Sequence, residues 1–512
     1  MTIKFDKPNP SELNKETTLS TSKETNTKFA EIIIVGAGFS GICAAIQLLE
    51  AGFTDFLLLE KADQVGGVWH HNTYPGCACD VPSSLYSYSF APNPSWSRVF
   101  AEQAEIKQYL KSTSRQKNIY KHILFNHELL SSEWNEENQQ WQVNTNKGAF
   151  YARFTIMAAG PMHQPAIPEL TGLETFNGSY FHSAQWNHHC DLTNKRVAVI
   201  GSGASAIQLV PQIQTKVKEL SVFQRTAHWI LPKQDPQISR SIRSVFKYVP
   251  FVQKLMRASV YLSFEILNSG VRLPLLMKAV EKLALSNIHR TIKDPTLRAQ
   301  LTPDYKIGCK RILQSSDWYP SLVKPNVNVI TDSVESIEGN YLISSQGIRK
   351  EVDIIIFATG FEMGITPITK KIRGVSGNLL FEHSKGSPTS YHGTMVEDCP
   401  NAFFLIGPNL AVASSAIIII EAQVNYIINA LKKIKTNQIT SIRTDPDITA
   451  TYNEKVQGAL QKTVWNNGGC TSYFLDAKGR NNLAWPWTTF KMRLQFLRFN
   501  LANFISSSKT QR

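Results

Sequence analysis

An α/β chain with two Rossmann-like dinucleotide-binding units is predicted by three observations. Two glycine loops, Gly36-Ala37-Gly38-Phe39-Ser40-Gly41 and Gly201-Ser202-Gly203-Ala204-Ser205-Ala206, each follow a short β-branched run. Each loop leads into residues of helical apolar spacing and then a second strand-like run. Glu60 and Arg225 close these second runs, each 24 positions after the first glycine of its loop.

Taken in chain order, residues 1–27 are rich in Ser, Thr, Lys, Asn and Glu without an apolar stretch, and read as a disordered tail. Glu31–Val35 reads as the first strand, Ile42–Ala51 as a helix and Phe56–Leu59 as the second strand. The pattern recurs at Arg196–Ile200, Ile207–Ile213 and Leu220–Phe223. Further strand-like runs, Asp353–Phe357 and Ala402–Ile406, lead into Ala358-Thr359-Gly360-Phe361 and Gly407-Pro408. Residues 241–298 lack strand alternation. Phe246, Val249, Leu255 and Val260 recur there at helical spacing among Lys247, Lys254 and Arg257. They read as a helical insertion covering a sheet, with peripheral contact to a membrane surface as the alternative. The expected domains are 28–164 (first dinucleotide unit, first part), 165–384 (second unit with the insertion) and 385–512 (return to the first unit).

A length of 512 residues suits two or more domains, and 42% hydrophobic with 18% charged residues is ordinary for a globular enzyme. No apolar run reaches the roughly 18 residues that span a bilayer. Seven scattered cysteines argue against a disulfide framework and for a reducing, cytoplasmic location. Cys77 and Cys79 form CxC, which is not the CxxC of dithiol reductases, and read as small packed residues. The net charge of +14 has no nucleic-acid motif beside it and reads as a basic surface that partly serves anionic cofactors.

In each loop the first glycine permits a tight turn and the second lets backbone approach a pyrophosphate. The third position, Gly41 or Ala206, allows close helix–strand packing. The phosphates then meet unpaired N–H groups at a helix N-terminus. Glu60 suits ribose hydroxyls, as in the adenosine half of FAD. Arg225 suits a 2′-phosphate, and hence NADP over NAD. Between these landmarks runs Gly66-Gly67-Val68-Trp69, continuing to Tyr74-Pro75-Gly76 and Asp80. Its glycines let backbone pack on a flat cofactor, Trp69 offers a wall and Asp80 a carboxylate close by. His182 is more readily a hydrogen-bonded structural residue than a base.

The segment Phe176-Asn-Gly178-Ser-Tyr-Phe-His182-Ser-Ala-Gln-Trp186, set between the two loops, resembles the FxGxxxHxxxW fingerprint of type I Baeyer–Villiger monooxygenases. The Gly66–Asp80 run resembles that family's second pattern position for position. The resemblance covers about residues 30–490 and is nearest the branch acting on cyclic or aryl ketones. It implies FAD and NADPH in separate domains, with the active site between them. The implied reaction inserts one oxygen atom of O2 beside a ketone carbonyl through a flavin C4a-peroxide, giving an ester or lactone, with sulfides oxidised as well. By matching motif, Lys310 and Arg311 fall where the family has a phosphate-binding lysine and the active-site arginine, and Asp80 where it has the partner carboxylate. The implied FAD contacts are Gly36, Gly38, Phe39, Ser40, Gly41, Glu60, Lys61, Gly67, Val68, Trp69, Asp80 and Tyr86. Those for NADP are Gly201 through Ala206, Arg225, Thr226, Lys310 and Arg311, and no metal is implied. Phe176, Gly178, His182 and Trp186 lie on the implied interdomain linker.

The chain departs from the family pattern at Asn187, where Pro or Asp is usual, and at Tyr473, where Trp is usual. Three other readings remain open at this point. The protein could be an N- or S-oxygenating flavin monooxygenase, a non-oxygenating NADPH:FAD reductase, or a membrane-surface protein that kept a flavin.

Overall fold

The structure, a computed structural model, describes residues 28–270, 274–362, 367–411, 414–476 and 478–508. The tail 1–27 lies outside the described residues.

Lys28–Val35 forms the centre of the first sheet, parallel to Phe56–Leu59 on one side and to Gly148–Met157 on the other. Its run of isoleucines is explained by burial on both faces. Ile32 and Ile34 pack into the core under the helix Phe39–Glu50 and the later helix Ala416–Thr436, while Ile33 and Val35 face Trp141 and Phe150. The helix Phe39–Glu50 starts on the glycine loop itself, earlier than the expected Ile42. An antiparallel meander, Leu129–Asn135, Gln140–Thr145 and Gly148–Met157, extends this sheet. Ala402–Phe404 adds to it in parallel.

Five parallel strands make the second sheet, in the order Val327–Ile330, Glu219–Phe223, Arg196–Ile200, Ile354–Phe357 and Ser179–His182. The loop Gly201–Gly203 opens the helix Ala204–Ile213 as expected of a dinucleotide unit. A three-stranded antiparallel sheet over 334–351 is appended. The chain rejoins the first sheet at Ile372–Arg373, which pairs with Leu129–Asn135, before the expected boundary at residue 385.

Among the described residues the insertion forms four helices, Arg240–Tyr248, Pro250–Gly270, Pro274–Thr291 and Pro295–Leu301. Only part of it covers a sheet. Pro250–Gly270 lies instead on the first domain and the C-terminal segment: Arg257 donates to the carbonyls of Ser84 and Ser87, each at 2.8 Å, and Gln253 donates to that of Asn93 at 2.7 Å. Sequence periodicity identifies a helix but not the surface it lands on. Among the described residues no helix is long and apolar enough to cross a membrane.

Cys309 and Cys470 are bridged, 161 residues apart in sequence, a single disulfide where the scattered cysteines argued against a disulfide framework. Connectivity of this range is not readable from spacing.

Candidate active site

The first glycine loop is built by close approach. Gly36 has φ +103°, and a Cβ there would meet the Ala158 carbonyl oxygen at 2.8 Å. Gly38 caps the helix Phe39–Glu50 without a side-chain hydrogen bond, and no acidic residue occupies the first turn. The N–H groups of Phe39, Ser40 and Gly41 are thus left for an anion at the positive end of the helix. Glu60 is buried beside the loop, its carboxylate accepting from the Ala37 N–H at 2.6 Å and the Ala62 N–H at 2.8 Å. Each oxygen keeps lone-pair capacity for a ribose hydroxyl, and Lys61 follows Glu60 at the surface.

The run Gly66–Asp80 folds back over that loop. Gly67 has φ +54°, and a Cβ on it would lie 2.9 Å from the Gly38 Cα. Val68–His71 is a single helical turn that presents Trp69. The Trp69 indole N–H donates to the Tyr86 hydroxyl at 3.1 Å, and Tyr86 meets the Phe39 ring edge-on at 5.0 Å. This aromatic wall beside two side-chain-free glycines fits a flat ring system.

The second loop repeats the geometry. Gly201 has φ +115° and sits against the Ala358 carbonyl, where a Cβ would come to 2.4 Å, while a Cβ on Gly203 would meet nothing within 4 Å. Gly203 caps the helix Ala204–Ile213, again without a side-chain bond, so Ala204, Ser205 and Ala206 offer its first turn. Ser202 is tied to the Thr226 carbonyl at 3.3 Å. Arg225 stands exposed past the strand Glu219–Phe223. Burial and then the neighbouring Arg225 lower the Lys310 ammonium from its usual value, with Asp304 opposing. Burial and then Lys310 push His228 down to about 4. Two cations held this close, against a neutral histidine, fit a phosphate dianion.

Arg311 follows Lys310 and reaches across to the first domain. Its Nη2 donates to Asp80 Oδ1 at 2.9 Å and lies 2.8 Å from Oδ2. The other guanidinium nitrogens have no protein partner among the described residues. The side chains of Arg311 and Asp80 are 46% and 32% exposed, so the pair lines an opening. Asp80 raises the Arg311 guanidinium further above its usual value, and Tyr473, Cys79 and Tyr86 add to this. Tyr473, half exposed, lies near enough to Arg311 for their charges to couple. The Cys309–Cys470 bridge and the Lys306 N–H to Gly468 carbonyl bond of 3.0 Å fasten the Arg311 loop to the segment carrying Tyr473.

Two further residues belong to this site and were not picked out from the sequence. Gln208, on the helix after the second glycine loop, accepts from the Tyr74 hydroxyl at 2.8 Å and donates to the Ala78 carbonyl at 2.9 Å. It holds the Tyr74–Asp80 loop of the first domain onto the second. Lys233 donates to the Cys79 carbonyl at 3.4 Å. The only sequence signal for Gln208 is its place one helical turn past Ala204, which implies reach towards the loop but not its target.

The FxGxxxHxxxW residues lie elsewhere. His182 ends the edge strand Ser179–His182 and is 1% exposed. Its Nδ1 accepts from the Ala184 N–H at 3.1 Å, and burial lowers its pKa while a backbone hydrogen bond with Gly360 opposes the shift. It is a neutral imidazole facing the Phe361 ring. Phe176 is buried, and a Cβ on Gly178 would lie 2.2 Å from the Asp353 carbonyl oxygen. Trp186 packs edge-on against Phe181 at 5.0 Å. No described contact of these residues reaches Asp80 or Arg311.

The model of the flavin-binding monooxygenase-like family matches residues 29–381. A Baeyer–Villiger monooxygenase of Streptomyces coelicolor is 42% identical over 476 residues, covering 92% of each chain. One from Pseudomonas aeruginosa is also 42% identical, over 93% of this chain and 91% of the relative. The chain belongs to the flavin-binding monooxygenase-like family, among the Baeyer–Villiger monooxygenases. Of solved structures in this family, an NADP-bound steroid monooxygenase superposes with a TM-score of 0.82 at 27% identity, covering 94% of this chain and all of that one. A closed cyclohexanone monooxygenase gives 0.83 at 25% identity, with 94% and 100% covered. Membership of this family makes FAD and NADP the cofactors, and the two glycine loops, one at each sheet, fit such a pair.

Proposed function

We propose that the protein is a Baeyer–Villiger monooxygenase that binds FAD on its first sheet and NADPH on its second. Its substrate would be an apolar ketone, converted to an ester or lactone with one oxygen atom of O2, and sulfides would be oxidised as well. The observation that carries this reading is Arg311, a cation between the two nucleotide sites, anchored on one side by Asp80 and open on the other.

Bound FAD and NADPH supply the hydride transfer and oxygen activation. What the chain adds is placement and charge. Arg311 keeps donors aimed into the opening, where negative charge that develops on oxygen would be stabilised by a group already in position. Asp80 is a positioning residue: it holds one end of the guanidinium. Gln208 fixes the loop that bears Asp80 to the second domain, so the two halves of the site move together. Arg225 and Lys310 receive the 2′-phosphate. His182 braces the linker and takes no part in the chemistry.

The reading is tested with labelled oxygen. Turnover of an apolar ketone with NADPH under 18O2 is expected to give an ester carrying one heavy oxygen. NADPH consumption that yields hydrogen peroxide alone, with ketones and sulfides both unchanged, would refute it in favour of a reductase. Sulfoxide without ester would identify an S-oxygenating enzyme instead.

Two results should follow for the nicotinamide nucleotide. Arg225→Ala is expected to raise KM for NADPH roughly 10- to 100-fold, the worth of a charge-assisted phosphate contact, and to leave KM for NADH unchanged. Lys310 has a depressed pKa, so it loses its proton earlier than an ordinary lysine as pH rises. KM for NADPH should therefore climb on the alkaline side while that for NADH stays flat. A parallel rise for both nucleotides would remove Lys310 from the phosphate site.

A further inference from the structure

The helix Pro250–Gly270 carries apolar residues outward as well as inward, unlike a helix that only covers a protein core. Its inward side mixes half-buried Val260, Tyr261 and Phe264, which pack on the core, with buried polar residues. Gln253, Glu265 and Asn268 are each 9% exposed or less. Each bonds to the body of the protein: Gln253 to the Asn93 carbonyl, Glu265 to the Thr489 N–H at 3.0 Å and Asn268 to the Trp487 carbonyl at 3.1 Å. Its outward stripe is apolar: Phe251 is 70% exposed, Leu255 59%, Leu262 60% and Ile266 54%. Isolated exposed leucines need no explanation, but an apolar stripe along the outward side of a helix already anchored on its inner side does.

The face continues onto neighbouring elements. Tyr248, 76% exposed, ends the preceding helix. On the other side the C-terminal helix Thr489–Phe496 is fastened to Pro250–Gly270 through Thr489, which bonds Glu265 and the Tyr261 hydroxyl. That helix exposes Phe490 and Leu494. The charged residues exposed on Arg240–Gly270 and 489–498 are all basic: Arg240, Lys247, Lys254, Arg493 and Arg498. The one carboxylate of these stretches, Glu265, is buried.

From this we propose that the face formed by Arg240–Gly270 and Thr489–Arg498 docks on an anionic lipid bilayer, with the apolar stripe inserted at the headgroup boundary and the basic residues set against lipid phosphates. An apolar stripe flanked by cations is the pattern of an interfacial helix, and anionic lipid adds attraction for each cation. A second copy of the chain is a poorer occupant. A two-fold interface sets a patch against itself, here cation against cation with no exposed carboxylate to pair. The N-terminal residues 1–27 have no apolar stretch to lay on the stripe.

Vesicle sedimentation of the full-length holoprotein tests the assignment. At 0.1 M salt it should pellet with phosphatidylcholine vesicles containing 30% phosphatidylglycerol, less with pure phosphatidylcholine, and less again at 0.5 M salt. Phe251→Ser/Leu255→Ser/Leu262→Ser should weaken partition roughly 100-fold or more, and Lys247→Glu/Lys254→Glu at least about fivefold per cation. Unchanged circular dichroism and thermal midpoint would verify that both variants fold. Wild-type protein left in the supernatant of the anionic vesicles, or a triple variant that binds them as well as wild type, overturns the proposal. So does a dimer in light scattering that the triple variant dissolves, since the face would then belong to a second copy.

Discussion

Arg311→Ala is expected to lose oxygenated product by roughly 10²- to 10³-fold, the scale of removing a preorganised charge from an oxyanion site, while NADPH is still consumed and hydrogen peroxide replaces product. The prediction separates a chemical role from a structural one by magnitudes. As an ion pair alone, Arg311 and Asp80 are 46% and 32% exposed to solvent, and such pairs contribute on the order of 0–1 kcal/mol to stability. Losing the guanidinium should hence move the thermal midpoint little. FAD content should hold too, because the FAD loop is built from Gly36–Gly41, Glu60 and Gly67, and Arg311 hydrogen-bonds instead to Asp80 at the edge of that site. Arg311→Lys keeps the charge but not the fork of donors and should recover only part of the product yield. The measurement is product formed per NADPH oxidised, with peroxide assayed in parallel. A variant that makes ester at the wild-type yield would reduce Arg311 to a surface ion pair.

Local pattern made the nucleotide half of this site legible. Strand, glycine loop and helix are contiguous in sequence, so Gly36–Gly41 with Glu60, and Gly201–Ala206 with Arg225, can be read as units before any contact is known. The pair Asp80–Arg311 is 231 residues apart and was named only because both positions fall in recognisable motifs. Gln208 falls in none. Its role comes from the docking of one domain on the other, which no periodicity encodes. The Cys309–Cys470 bridge escaped for the same reason. The insertion shows a different limit. Apolar spacing at Phe246, Leu255 and Val260 identifies helices, but it does not tell which stripe faces inward. Leu255 turned outward because Gln253, Arg257 and Glu265 found hydrogen-bond partners on the protein side.

Gly41→Ala and Gly203→Ala should fail in different ways, although both glycines occupy equivalent-looking loops. Gly41 sits in the first turn of Phe39–Glu50, and a Cβ there would lie 1.8 Å from the Gly36 carbonyl oxygen and 3.5 Å from Ile34 Cγ2. The first contact is with backbone, so no rotamer change relieves it. The helix must lift from the strand Lys28–Val35, opening the packing of Ile34 against Ile42 and Ile46 in a core where all three are essentially inaccessible. Overpacking of this kind costs about 1–3 kcal/mol or more. It also shifts the helix N-terminus that would receive the pyrophosphate. Gly41→Ala should accordingly be purified with little or no FAD and unfold at a lower temperature. Gly203 has nothing within 4 Å of the added Cβ, and on the proposed reading the second nucleotide would lie beside it. Gly203→Ala should fold, keep its FAD and its thermal midpoint, and lose affinity for NADPH and NADH alike, since the methyl meets the pyrophosphate they share. Visible absorbance per protein and KM for the two nucleotides decide between these outcomes. A Gly41→Ala protein with full flavin content would mean that the helix slides without cost, and that the close packing of loop and strand is not what holds the first cofactor.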